Sequence, residues 1–215
     1  NGIKCGQLTI INMSTFFIFI FIKILVKSLK LPSINLHRPP YKKDAAAIAL
    51  LSLSIPIFIS EGIEIPIEGI DTKISFSDVQ EPRKVGSILF VSKDKPVSTQ
   101  VKKFLKEIGR IHLDFMCKEF AERLGSNVRK ITLRDTRSRW GSCSNDANLM
   151  FSWRLVMAPE DVLAYVAAHE VAHLKHMNHS KDFWETVEYL FGPYKRERSW
   201  LKQNGPSLHR YKFES

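Results

Sequence analysis

Cysteine is scarce in this chain: three residues among 215, Cys5, Cys117 and Cys143, odd in number and never in a CxxC pair. That excludes a disulfide framework and leaves no basis for a structural zinc knuckle; it fits a reducing, cytoplasmic compartment. Internal repeats are missing as well, which removes solenoids and propellers. A long basic tail is also absent. The 32 lysines and arginines outnumber the 22 acidic residues, for a net charge of +10, and they are spread along the chain with small clusters at Lys102 and Lys103, Arg137 and Arg139, and 195–198. Such a field favours anionic partners, whether nucleotides, nucleic acid or a membrane surface, and does not choose among them.

Residues 9–26, "TIINMSTFFIFIFIKILV", approach the length of a membrane span, but Lys23 interrupts them and Asn12, Ser14 and Thr15 dilute their start. The following "KSLKLPS" lacks the small residues of a signal cleavage site. A membrane anchor through 9–26 is therefore the alternative to a cytoplasmic location. The chain begins with Asn, its first methionine is Met13, and "PSINLHRPPYKKD" at 32–44 reads as a linker. Residues 1–54 are accordingly expected to be an apolar segment and linker that is disordered, membrane-associated or artefactual, and 55–215 the folded domain.

What is present looks packed: 44% hydrophobic, 25% charged and 14 phenylalanines, in a length that suits one ordinary domain. Residues 55–76 are isoleucine-rich and punctuated by Gly62 and Gly69, which predicts short strands joined by turns. "SILFVS" at 87–92, "RKITLRD" at 129–135 and "LMFSWRLV" at 149–156 read as further strands. Between 96 and 124 apolar residues recur at helical spacing, with Cys117 expected as a small buried hydrophobe and Gly125 as the stop. A second helix opens at Pro159, carries Glu160 and Asp161 in its first turn, and is expected to run to Lys175 and His176. Two more helices are predicted over 181–191 and 194–203.

The chemistry concentrates in "AAHEVAHLKHMNHS", 167–180, which holds four of the seven histidines. His169 and His173, four apart, share a helix face and can reach one ion, while Glu170 is rotated by about 100° and can sit beside that ion without ligating it. This is the H-E-x-x-H pattern, in which a metal activates water and the glutamate takes its proton. On a continued helix His176 would stand about 10.5 Å along the axis from His169, at about 1.5 Å per residue, too far for bonds of about 2.0–2.1 Å to one zinc ion. His179, returning after a turn in which Asn178 tolerates left-handed backbone, is the favoured third ligand. His176 is left to cap helix carbonyls or to support the ligands from behind, in the second shell.

Residues 136–187, with "RWGSCS", "SWRL" before "AP", "YVAAHEVAHL" and "NHSKDFW" in order, resemble the YgjP-like metallopeptidase domain, a bacterial group related to SprT-like and minigluzincin zinc proteases. The match extends more weakly over 55–211. The resemblance implies Zn2+ held by His169, His173 and His179 with Glu170 as general base. It also implies an α+β fold in which a small, mostly antiparallel sheet packs on helices around a zincin-like active-site helix, with a strand near 149–153 placed to pair with an extended peptide. Arg139 and Tyr194 are candidates to contact substrate or the developing oxyanion, each with packing or ion pairing as its plainer role. Phe183 and Trp184 are expected to pin the third-ligand loop, and Cys143 to be packing. The expected activity is that of a zinc metallopeptidase acting on a peptide or protein substrate. Two rivals stand beside it: a metal-dependent nucleoside triphosphate pyrophosphohydrolase, served by Arg137, Arg139 and Lys175, and a non-catalytic metal-stabilised module that binds DNA or protein.

Overall fold

A computed structural model describes residues 55–213, and the apolar run at 9–26 and the linker after it lie outside them. Among the described residues nine short strands and four α-helices follow one another: β1 Ile57–Phe58, β2 Glu64–Ile67, β3 Ile70–Phe76, β4 Arg83–Val85, β5 Ile88–Val91, α1 Val97–Arg123, β6 Lys130–Arg134, β7 Gly141–Cys143, β8 Asn148–Ser152, α2 Glu160–Ala172, α3 Lys181–Phe191, α4 Lys195–Asn204 and β9 Tyr211–Lys212. Two 3-10 helices, Trp153–Met157 and Gly205–Arg210, fill the remaining joints. Among the described residues no helix is long and apolar enough to cross a membrane.

The α+β class is as expected, but the sheets are mixed where a mostly antiparallel one was predicted. One sheet has the order β2-β3-β5-β4, a second β6-β8-β7, and β1 pairs with β9. The contacts β3·β5, β6·β8 and β1·β9 are parallel, while β2·β3, β4·β5 and β7·β8 are antiparallel. The reason is connectivity. α1 separates the two larger sheets, and the 13-residue excursion between β6 and β8 brings the chain back in the same direction with β7 as the outer strand.

The β2–β3 hairpin closes on Glu68 and Gly69, both left-handed at φ 57° and 76°, the pair of positive φ values that a two-residue type I′ turn requires. Its tip sets the entry to α2: the Glu68 amide donates to the Val156 carbonyl at 2.7 Å, and a Cβ on Gly69 would stand 2.9 Å from Pro159 Cα. α1 ends as its glycine predicts. Gly125 is left-handed at φ 61°, with Gly125 N–H donating to Glu122 and Ser126 N–H to Ala121, the paired bonds of a Schellman cap.

The buried stripe of α1 runs Val101, Leu105, Gly109, Leu113, Cys117 and Ala121, a strict four-residue step, whereas Phe115 is 67% exposed despite its apolar side chain. The first half of the stripe closes over the four-stranded sheet and the second half packs with Phe151, Val166, Val171 and Val187 around α2. Of the segment 149–156 only the first part is strand. From Trp153 the chain tightens into a fully buried 3-10 helix, and apolar periodicity does not distinguish the two. Within it Arg154, 7% exposed, donates to both carboxylate oxygens of Asp135 and to the carbonyls of Leu208 and Tyr211, tying the C-terminal segment to the core.

Candidate metal centre

Helix α2 is nearly all core, with nine of its thirteen residues buried, so a polar group on it is held in low dielectric. It stops at Ala172, earlier than His176. His173 is its C-cap and the amides of Leu174, Lys175 and His176 continue the turn by donating to Val171 and Ala172. The chain bends at Met177 and Asn178 and comes back with His179. No left-handed residue makes this reversal: among the described residues other than glycine only Glu68 and Ala147 have positive φ, so the role expected of Asn178 is not used.

The return brings His169, His173 and His179 together, with one nitrogen from each lying within 4.8 Å of the others. His169 Nε2 and His179 Nε2 are 3.1 Å apart, close to the roughly 3.3 Å that two bonds of about 2.0–2.1 Å to one tetrahedral ion impose. His173 Nδ1 lies 2.9 Å from the His176 carbonyl oxygen, so Nδ1 carries the proton, donates, and leaves Nε2 free as a lone pair. The support assigned to His176 thus comes from its backbone; its imidazole lines a separate surface cleft with Arg123, Asp182 and Glu185.

Phe183 is the common floor. Fully buried, its ring lies 4.9, 4.5 and 4.7 Å from those of His169, His173 and His179, and Ser180 caps α3 by accepting from the Phe183 amide. Trp184 covers His169 and His179 at 5.6 and 5.7 Å. The pinning role expected of these two aromatics is visible in the geometry.

Burial disfavours the charged form of the two helix histidines. Burial, and then the neighbouring His173 and His179 and the Arg198 guanidinium, hold the His169 imidazole down to about 3; burial also lowers His173. Neutral imidazoles are the form that a metal needs. Glu170, 5% exposed, is pushed up to about 8 by burial, with the Arg139 guanidinium pulling the other way. Its slot is made by β7: a Cβ on Gly141 would stand 2.5 Å from Glu170 Oε1 and 2.6 Å from Cγ, so only glycine admits the carboxyl there. Sequence reasoning passed over Gly141, and a glycine inside the strand-like "RWGSC" was the available signal of a close approach.

Arg139 is exposed and, among the described residues, forms no ion pair, which leaves its charge free to act on Glu170. Tyr194 is stacked between Tyr165, 5.8 Å away at 9°, and Trp184, 5.1 Å away at 20°. Arg198, also unforeseen, lies over Trp184 at 4.8 Å and brings a second cation to the rim. Cys143 has its thiol pushed up to about 11, by burial first and then by Glu170, and so stays protonated as a packing residue. The strand β8 is flanked on both sides, by β6 and by β7, so it offers no free edge to a peptide; the free edge beside the site belongs to β7.

A mixed α+β fold that closes three imidazoles and one buried carboxyl around a single point, on a helix and the loop after it, has the architecture of a metal-dependent hydrolase. The YgjP-like, metallopeptidase domain family matches residues 42–204, and this chain belongs to that family. It is a peptidase-like hydrolase whose three histidines could hold a divalent metal. Among solved structures, the crystal structure of the metallopeptidase zymogen of Pyrococcus abyssi abylysin is 21% identical, with a TM-score of 0.39, covering 46% of this chain and 97% of that one. No protein of curated function matches the chain.

Proposed function

We propose that the chain is a zinc-dependent metallopeptidase in which His169, His173 and His179 hold the ion and Glu170 is the general base. The observation that carries this reading is the meeting of three imidazole nitrogens within 4.8 Å of one another beside a buried carboxyl. Three imidazole donors, joined by no cysteine or carboxylate among the described residues, suit zinc in an open, catalytic arrangement. When bound, such an ion supplies Lewis acidity, polarising a carbonyl and lowering the pKa of water.

The protein's own residues supply the rest. Glu170 accepts the proton of the attacking water and passes it to the leaving amine. Burial in its slot raises its basicity to about 8 against the pull of the Arg139 guanidinium, which suits a group that must take a proton from water. The His176 carbonyl fixes the tautomer and orientation of His173. Arg139 is the better placed of the two candidates for the developing oxyanion, since its charge already reaches Glu170, while the stacked Tyr194 acts mainly by packing. An extended peptide adding to the free edge of β7 would run its backbone past Gly141 and Glu170.

The test pairs wild type with Glu170→Gln on a panel of peptides, denatured proteins and nucleoside triphosphates. The variant should keep its zinc and lose hydrolysis of peptides by about 10³-fold. Undiminished cleavage would remove Glu170 from its role. Pyrophosphate release from nucleotides with no peptide cut would make the chain a nucleotide hydrolase, and salt-sensitive DNA retention without turnover would make it a binding module.

A further inference from the structure

Outside the metal centre the structure holds a second concavity, which shares no lining residue with His169, Glu170, His173 or His179. A cleft of about 450 Å³ opens where the loop before β7 faces α4 and the C-terminal segment, a volume within the range of small-ligand sites. Its cations are Arg137, Lys202 and Lys212, and its apolar walls are Trp140, Leu201 and Pro206. No carboxylate lines it. Among the described residues none of Arg137, Lys202 and Lys212 has an acidic partner within 4.0 Å, although nine ion pairs form elsewhere. Like charges gathered round a concavity repel one another, and an anion entering it relieves that repulsion.

The aromatic wall is firmly held. Trp140 packs on His209 with ring centroids 5.3 Å apart, and its indole rests on Gly205, where a Cβ would come within 2.9 Å of Cζ2. A rigid flat wall with ammonium and guanidinium groups at the mouth suits a short acid whose methylene stem lies on the ring while its carboxylate meets the cations. The position matters as much as the charge. Trp140 immediately precedes Gly141, the residue that seats Glu170, so the cleft's aromatic wall starts one residue from that slot, on the other face of the extended chain. Between the cleft and the centre stand Arg139, next to Trp140 in the chain, and Arg198, one helical turn before Lys202 and lying over Trp184, the ring that covers His169, at 4.8 Å.

We propose that this cleft is a specificity pocket which takes the side chain of an aspartate or glutamate close to the scissile bond, making the chain a peptidase that prefers acidic sequences. The inference rests on the peptidase reading above, and the experiment keeps the two separable. The metal-loaded full-length chain and its Arg137→Glu/Lys202→Glu variant are given a peptide library read by mass spectrometry. In parallel, the Glu170→Gln chain, with and without the same two reversals, is titrated with a fluorescein-labelled peptide containing glutamate and with its lysine counterpart.

Both reversed positions are exposed, and circular dichroism with zinc analysis checks that the double variant is folded and loaded. The expected result is enrichment of Asp and Glu at one fixed position beside the cleavage point. In the double variant the ratio of kcat/KM for glutamate over lysine peptides should fall by about tenfold or more, as expected when attractive pairs are replaced by repulsive ones. Cleavage with no acidic preference, and a ratio unmoved by the reversals, overturns the pocket and leaves the peptidase standing. Absence of cleavage, with tighter binding of the glutamate peptide that the reversals abolish, overturns the peptidase and leaves the pocket. Binding of a nucleoside triphosphate that the reversals abolish, with no binding of either peptide, overturns the pocket in favour of a phosphate site.

Discussion

The histidine cluster and the Arg154 network are two polar constellations set against the core of one small fold, and they are finished differently. Arg154 makes four hydrogen bonds, to Asp135, Leu208 and Tyr211, so four of its five N–H donors are engaged and its buried charge is paired, and it works as a staple. In the cluster, His169 Nδ1 is buried with no partner, Glu170 has no ion pair among the described residues, and the pKa values of both are displaced by burial. A fold that satisfies one buried network and leaves the other short of partners marks the second as the place where an outside group belongs.

The sharpest break of this comparison is Arg154→Ala. It orphans two backbone carbonyls and leaves a void beneath Trp153 and Phe213, over whose rings the guanidinium lies at 4.6 and 5.4 Å, and should cost about 3 kcal/mol in urea unfolding. A loss below about 1 kcal/mol would show that the network holds nothing. Glu170→Gln should do the opposite in the metal-free protein.

The Glu170 carboxyl, raised from 4.5 to about 8, keeps a proton in the folded chain that the unfolded chain releases across that window. Metal-free wild type therefore loses stability as pH rises from about 4.5 to 8, by up to about 5 kcal/mol if the whole shift is expressed, while the glutamine variant escapes the loss. Melting both from pH 5 to 8.5 checks this, and parallel curves would refute it.

Gly141→Ala should push Glu170 out of its slot, lowering kcat by about tenfold to a hundredfold at a stability cost of about 1–2 kcal/mol, read from kinetics and melting on the same sample. The smallest effect is expected from His176→Ala. Because the backbone carbonyl orients His173, zinc affinity and kcat should stay within about twofold. A drop comparable to that on replacing His179 would return the imidazole to the site.

Much of this was legible beforehand. The four-residue step of His169 and His173, the axial distance that disqualified His176 and the glycine stop of α1 are local rules, and local rules survive folding. Sheet direction was not legible. Parallel pairing of β6 with β8 depends on where a 13-residue excursion lands, and short apolar runs carry no sign of strand direction. The free edge beside the site was misplaced for the same reason: "LMFS" looks like the stronger strand and so becomes the central one, leaving "GSC" outside.

By itself the sequence singled out the three histidines that the fold brings together, because helix geometry restricts which of them can reach one point, and it placed a glutamate beside them. Only the tertiary structure decided how those groups are tuned. The depth of Glu170 is set by Gly141 from another element, the tautomer of His173 by a carbonyl reached after the helix stops, and the charge of the rim by Arg139 and Arg198, which lie 31 and 28 positions away from Glu170 in the chain. Electrostatics and steric contact act through space, and it is folding that makes these distant residues neighbours.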